Sequence, residues 1–218
     1  NQMRPLPIYA LLARVEDVAD GQYIPNSPLR EGYLGNDYPW LGTLVYNGAV
    51  YDHIRFRARG GEYRYATGKN HWKFNFNRGH AFQAYDDYGN PYPTKWDKLN
   101  LGAVLQNANR GFRGEQGMFE SLSYRLYNLA GVPAPSTNFI HFRVVDQPRE
   151  NTENQYEGDF WGLYLAIENL DGSFLDAHGL PSGNLYEMKD WTGELDYQSP
   201  VGVTDKSDLN AFLYTYNS

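Results

Sequence analysis

Polar and apolar residues alternate without a break from Ile54 to Arg59. Ile54, Phe56 and Ala58 fall on one side of an extended chain, and Arg55, Arg57 and Arg59 on the other. Gly60-Gly61 ends the run. Alternation resumes from Lys69 to Phe76, setting Trp72, Phe74 and Phe76 against Lys69, His71, Lys73 and Asn75. Two amphipathic strands joined through a glycine turn predict a β-hairpin. A second hairpin is marked by Asn47-Gly48 at the centre of Thr43 to Val50. Ahead of it, residues 1–42 are rich in Pro, Gly and Asn and read as an irregular arm, with one apolar stretch, Ile8 to Val18, of strand character.

From Glu115 to Ala130 the period becomes helical. Phe119, Leu122, Leu126 and Leu129 form an apolar stripe, Gly131 stops it, and Pro133 and Pro135 follow. The stripe is expected to pack on one face of the sheet. Phe139 to Val145 reads as a strand, Gln147 to Gly158 as an exposed loop, and Phe160 to Ile167 as a wholly apolar, central strand. Asp171 to Ala177 predicts a short helix and Asn184 to Met188 one more strand. The fold class is α+β, a mainly antiparallel sheet with one packed helix. No internal repeat or low-complexity segment interrupts it.

Composition narrows the function. The chain of 218 residues carries a formal charge of −7, which disfavours nucleic acid and anionic membrane as partners. No apolar stretch approaches the roughly 20 residues that span a bilayer. With no Cys, disulfides, thiolate zinc sites and thiol catalysis are excluded. The five His are scattered without metal-ligand spacing, Asp86-Asp87 reads as a loop acid pair, and no Gly-x-Ser-x-Gly elbow supports a hydrolase. No metal ligand is assigned. The excess is aromatic, 19 Tyr, 11 Phe and 5 Trp, on half-buried strands or around clefts.

A glycine turn, a strand bearing Lys and a helix bearing Glu are the parts with which a kinase N-lobe grips ATP. Backbone N–H groups cover the phosphates, Lys neutralises them, and Glu holds the Lys. Here the parts are Gly60-Gly61, Lys69 or Lys73, and Glu115 or Glu120, with Glu168-Asn169-Leu170 as a connector whose backbone can meet adenine. Each also has an ordinary reading: Gly-Gly between strands is commonly just a turn, and a strand-face Lys is commonly solvated.

Four runs, in order, carry a resemblance. They are Arg57-Ala58-Arg59-Gly60-Gly61 with Lys69-Asn70-His71-Trp72-Lys73-Phe74-Asn75-Phe76; Glu120-Ser121-Leu122-Ser123-Tyr124-Arg125-Leu126 with Gly131-Val132-Pro133-Ala134-Pro135; Gly162-Leu163-Tyr164-Leu165-Ala166-Ile167-Glu168 through Phe174-Leu175; and Gly183-Asn184-Leu185-Tyr186-Glu187-Met188-Lys189. Together they resemble the N-terminal portion of the spore coat protein H (CotH) kinase-like family, from about Tyr51 to Lys189. The resemblance implies a protein-kinase-like N-lobe over residues 43–190, after the arm of residues 1–42 and before the start of a C-terminal lobe at 191–218. It implies ATP and Mg²⁺ as cofactors of the complete protein, secreted or coat proteins as substrates, and an extracellular or cell- or spore-surface location.

The catalytic Asp–Asn loop and metal-binding Asp are expected downstream of Ser218, or on a separate chain, so residues 1–218 alone are expected to be inactive. Nucleotide-holding residues implied are Arg59, Gly60, Gly61, Lys69, Lys73, Glu115, Glu120 and Glu168. Lys69 opens the strand motif, with Lys73 on the same face. The motif points to Glu120, whereas the helical wheel puts Glu115 in line with the apolar stripe. A reading from another class is a non-catalytic extracellular or coat module that holds proteins or glycans on an aromatic-rich surface.

Overall fold

The computed structural model describes residues 5–22, 40–59, 69–104, 116–147, 158–188 and 193–218. They form two compact units, Asn1–Glu168 and Asn169–Ser218. The first holds seven strands: β1 (Ile8–Ala13), β2 (Trp40–Tyr46), β3 (Ala49–Arg59), β4 (His71–Asn75), β5 (Lys98–Gly102), β6 (Thr137–Val145) and β7 (Phe160–Glu168). It also holds helices α1 (Val15–Gly21) and α2 (Gln116–Leu129).

The strands hydrogen-bond in the order β1-β2-β3-β4-β5-β7-β6, and β1 returns to β6 to close a barrel. Every pairing is antiparallel except this closure, in which Ile8 to Leu12 run parallel to His141 to Val145. The sheet expected from the sequence therefore has no free edge. The stretch read as an irregular arm supplies the closing strand β1 and helix α1, because β1 pairs through one edge with β2 and through the other with β6. The apolar stretch Ile8 to Val18 divides at Arg14 into these two elements.

Alternation fills the barrel as period-two strands must. Leu11, Leu44, Ile54, Phe56, Trp72, Phe74, Leu99, Leu101, Ile140, Phe142 and Tyr164 are all buried in one cluster. Much of the aromatic excess resides there, in tilted and edge-on contacts such as Phe56–Trp72 and Phe142–Tyr164. Helix α1 adds Val18 to the core, and its Gly21 lies close enough to Trp40, Phe56 and Trp72 that a Cβ would already be in van der Waals contact with all three rings.

Helix α2 ends as its sequence predicts. Gly131 takes φ +80°, Val132 N–H donates to Tyr127 O and Gly131 N–H to Asn128 O. This is the Schellman pattern, which needs a left-handed residue and so selects glycine.

The second unit contains α3 (Gly172–Ala177), the hairpin β8 (Leu185–Glu187) with β9 (Glu194–Tyr197), and α4 (Ser207–Tyr216). Asp171 caps α3, its carboxylate accepting from Ser173 N–H at 3.0 Å. Asn184 and Asp208 tie the hairpin to α4: the Tyr186 hydroxyl donates to Asp208 Oδ1 at 2.5 Å and Asn184 Nδ2 to Asp208 Oδ2 at 3.1 Å.

Candidate functional site

With Phe56, Ala58, Trp72 and Phe74 turned into the core, the alternate residues of β3 and β4 must face outward. Register then sets Arg55 beside Asn75, Arg57 beside Lys73, and Arg59 beside His71. Strand β5 extends two of these rows, with Lys98 beside Asn75 and Asn100 beside Lys73. The outer face of three adjacent strands thus carries Arg55, Arg57, Arg59, Lys73 and Lys98, and no Asp or Glu occupies these ladder positions. Like charges directly opposite one another repel. Clustering them in a chain of net charge −7 concentrates positive potential on one face. Arg57 is buried and its Nη1 donates to Ala58 O at 3.1 Å.

Lys69 lies two residues before His71, which pairs with Arg59 at the end of β3. Its Nζ donates to Leu163 O at 2.5 Å and sits 4.2 Å from the centre of the Tyr164 ring. Gly162, at φ +108°, borders it: a Cβ there would stand 3.6 Å from the ammonium. Burial lowers the Lys69 pKa to about 8, because desolvation disfavours the charged form. Burial likewise pushes the Tyr164 hydroxyl well above the usual tyrosine range. His71, next along β4, accepts from Ala103 N–H through Nδ1 at 3.0 Å, which fixes the neutral tautomer with its proton on Nε2.

Helix α2 lies against β6 and β7. The apolar stripe expected to face the sheet does not: Phe119, Leu122, Leu126 and Leu129 are all exposed, and Glu120, Ser121, Tyr124 and Asn128 form the more buried face. The reason is at the helix end. The Asn128 amide clamps Ala134, donating to its O at 2.9 Å and accepting from its N–H at 3.0 Å, which fixes the helix rotation with the polar face inward. Helical period defines two faces; it does not say which one the chain buries.

Glu120 therefore lies on the sheet-facing side, where the Tyr124 hydroxyl donates to its Oε1 at 3.4 Å. Burial, first, and the Glu120 charge raise the Tyr124 pKa, while the positive charge of Arg59 lowers it. A carboxylate from α2 and a guanidinium from the end of β3 thus act on the same hydroxyl.

Not every sequence-predicted residue joins this end. Lys73 stands mid-strand between Arg57 and Asn100, in the cationic rows. Glu168 closes β7 and is buried. Its Oε2 accepts from Ser136 N–H at 2.9 Å and its own N–H donates to Ser136 O at 2.9 Å, so that backbone donor is engaged within the barrel. Gly60, Gly61 and Glu115 lie outside the described residues. Sequence reasoning missed Lys98, Asn100 and Tyr124. The alternation Lys98-Leu99-Asn100-Leu101 marks β5, and the i, i+4 spacing of Glu120 and Tyr124 marks their shared face.

A separate cleft of about 620 Å³ opens among Leu12, Arg14, Leu41 and His53; no expected site residue lines it. Among the described residues no group of three or more His, Cys, Asp or Glu side chains gathers to hold a metal, so none is assigned to Mg²⁺. No described helix is long and apolar enough to cross a membrane. In comparison with known proteins, the family model described as CotH kinase protein matches residues 56–216, and no curated protein matches the chain.

Proposed function

The chain belongs to the CotH kinase protein family, and from that premise we propose that it forms the nucleotide-holding part of an ATP-dependent protein kinase whose substrates are secreted or coat proteins. The observation that carries this reading is Glu120 on the sheet-facing side of α2, accepting from a Tyr124 hydroxyl whose acidity the Arg59 charge also shifts. Lys69 lies at the same end of the β3–β4 pair as Arg59. Phosphoryl transfer is accelerated by positioning and charge neutralisation. The residues here suit those tasks. Arg59 and Lys69 meet phosphate oxygens, and the cationic rows of β3 to β5 raise the local concentration of the polyanion. Mg²⁺ carried in with the nucleotide would supply further charge neutralisation.

Calorimetric titration with ATP and Mg²⁺ tests the reading. An anion settling beside Lys69 raises its pKa, so at pH 8 binding takes up roughly half a proton, detected as a dependence of the heat on buffer ionisation. Lys69→Met removes the uptake and weakens binding, and Glu120→Gln weakens binding with the uptake retained. Absence of binding heat for the unsubstituted chain would overturn the proposal.

A second reading, a non-catalytic module that holds a partner on aromatic residues, is favoured by α4. Phe212, Tyr214 and Tyr216 are exposed there, with the Phe212 and Tyr216 rings stacked at 6.1 Å. Retained binding of coat protein by a chain inert to ATP would select it.

A further inference from the structure

Helix α2 is inside out with respect to its own sequence. Phe119, Leu122, Leu126 and Leu129 are each 54–67% exposed, and Met118, the residue before Phe119, is exposed beside them. Large apolar residues grouped this way on a soluble surface mark an interaction site. Their spacing says what covers them. Steps of three, four and three residues place them at the a and d positions of a heptad, the narrow stripe that packs against another helix rather than against a sheet. Tyr124 then falls at the position opposite the seam, in agreement with its burial toward the barrel.

The seam is also symmetric about its midpoint. Turned antiparallel to itself, it sets Phe119 opposite Leu129 of a second copy and Leu122 opposite Leu126, so each layer pairs an a with a d position. This is the self-complementary arrangement that a two-fold interface requires. With whole side chains of roughly 150–200 Å² and a little over half of each exposed, the five residues present on the order of 550 Å² per copy. Complete burial of all five would remove at most on the order of 1,100 Å² from two copies, the lower end of the range for a specific interface and in keeping with a weak, reversible dimer. We propose that α2 is a homodimerisation helix, pairing antiparallel with α2 of a second copy through Phe119, Leu122, Leu126 and Leu129.

Arg125, beside the seam, approaches its symmetry mate, whereas Ser123 meets its own mate on the other flank. The dimer is therefore of micromolar strength and tightens as salt screens the paired Arg125 charges.

Sedimentation equilibrium of the chain, up to roughly 200 µM and thus far above a micromolar dissociation constant, reads the association. The expected result is a reversible dimer, stronger at high salt. The double variant Leu122→Glu, Leu126→Glu should be a monomer with an unchanged circular dichroism spectrum, because both leucines are exposed in the single chain. Should that variant fail to fold, cross-linking decides, since the chain has no Cys of its own. Ser123→Cys oxidises to a disulfide-linked dimer. Met118→Cys does not, because the antiparallel register holds the two copies of that position about 18 Å apart. A wild-type chain that stays monomeric throughout, a dimer that survives the double Glu substitution, or disulfide formation by Met118→Cys and not by Ser123→Cys would each overturn the proposal.

Discussion

Replacing Lys69 by Met should change how stability depends on pH, and the structure sets both the window and the size. In the folded chain Lys69 titrates at about 8 against an ordinary value of 10.5. Between those values the unfolded chain holds a proton that the folded chain has released, so stability rises with pH across the window. Below pH 8 both states carry the charge and the burial penalty is fully present; above 10.5 neither does. The full difference corresponds to roughly 3 kcal/mol. Part of the ammonium remains in water, which reduces the effect to about 1–2 kcal/mol. Tyr164 acts in the opposite sense. Its pKa is raised by burial, so stability falls where unfolded tyrosine ionises, above about pH 10. Urea unfolding followed by tryptophan fluorescence, from pH 7 to 9.5, avoids that limb and reports on buried Trp40, Trp72 and Trp96. The wild type should gain about 1 kcal/mol over this range, the larger part of the full effect, with the m-value unchanged, and Lys69→Met should lack that gain. Parallel profiles for the two proteins would refute a desolvated Lys69.

Two further substitutions probe the frame. Asn128→Ala removes both bonds to Ala134 and leaves that backbone N–H and O without the amide, so unfolding free energy should drop by about 1–3 kcal/mol in denaturant melts. Gly193→Ala forces a Cβ into the Leu209 side chain at a backbone position of φ +65°; proteolysis should then cut the second unit faster than the barrel, which keeps its resistance.

Much of the barrel was legible because its strands alternate. Ile54 to Arg59 and Lys69 to Phe76 announce both their period and their buried faces, and these are β3 and β4 in the structure. What alternation cannot announce is a partner far away in sequence. Ile8 to Ala13 looks like a strand within a loose arm, and only its parallel pairing with β6, more than a hundred residues on, makes it part of a ring. Strand β5 was missed because five residues with two apolar positions carry little signal. Helix α4 was missed although Leu209, Phe212, Leu213 and Tyr216 follow helical spacing. At the site, the motif's preference for Glu120 agrees with the side of α2 that turns to the sheet, whereas the apolar stripe misled. Lys69 was legible as a candidate, but its desolvation depends on Leu163 and Tyr164 of β7, which no local pattern brings beside it.

The closure of the ring bears on where the chain can be cut. The family match begins at residue 56, inside β3, so a fragment trimmed to that border discards β1, β2 and seven of the eleven residues of β3. The pairings lost are those of β1 with His141 to Val145 of β6 and of β2 with Phe56, so unpaired N–H and C=O groups are laid open chiefly along five residues of β6. Such an edge recruits strands from neighbouring molecules and favours aggregation over a smaller domain. Expression boundaries drawn by homology and those drawn by hydrogen bonding therefore differ by some fifty residues at the amino end, and only the second set keeps the ring closed.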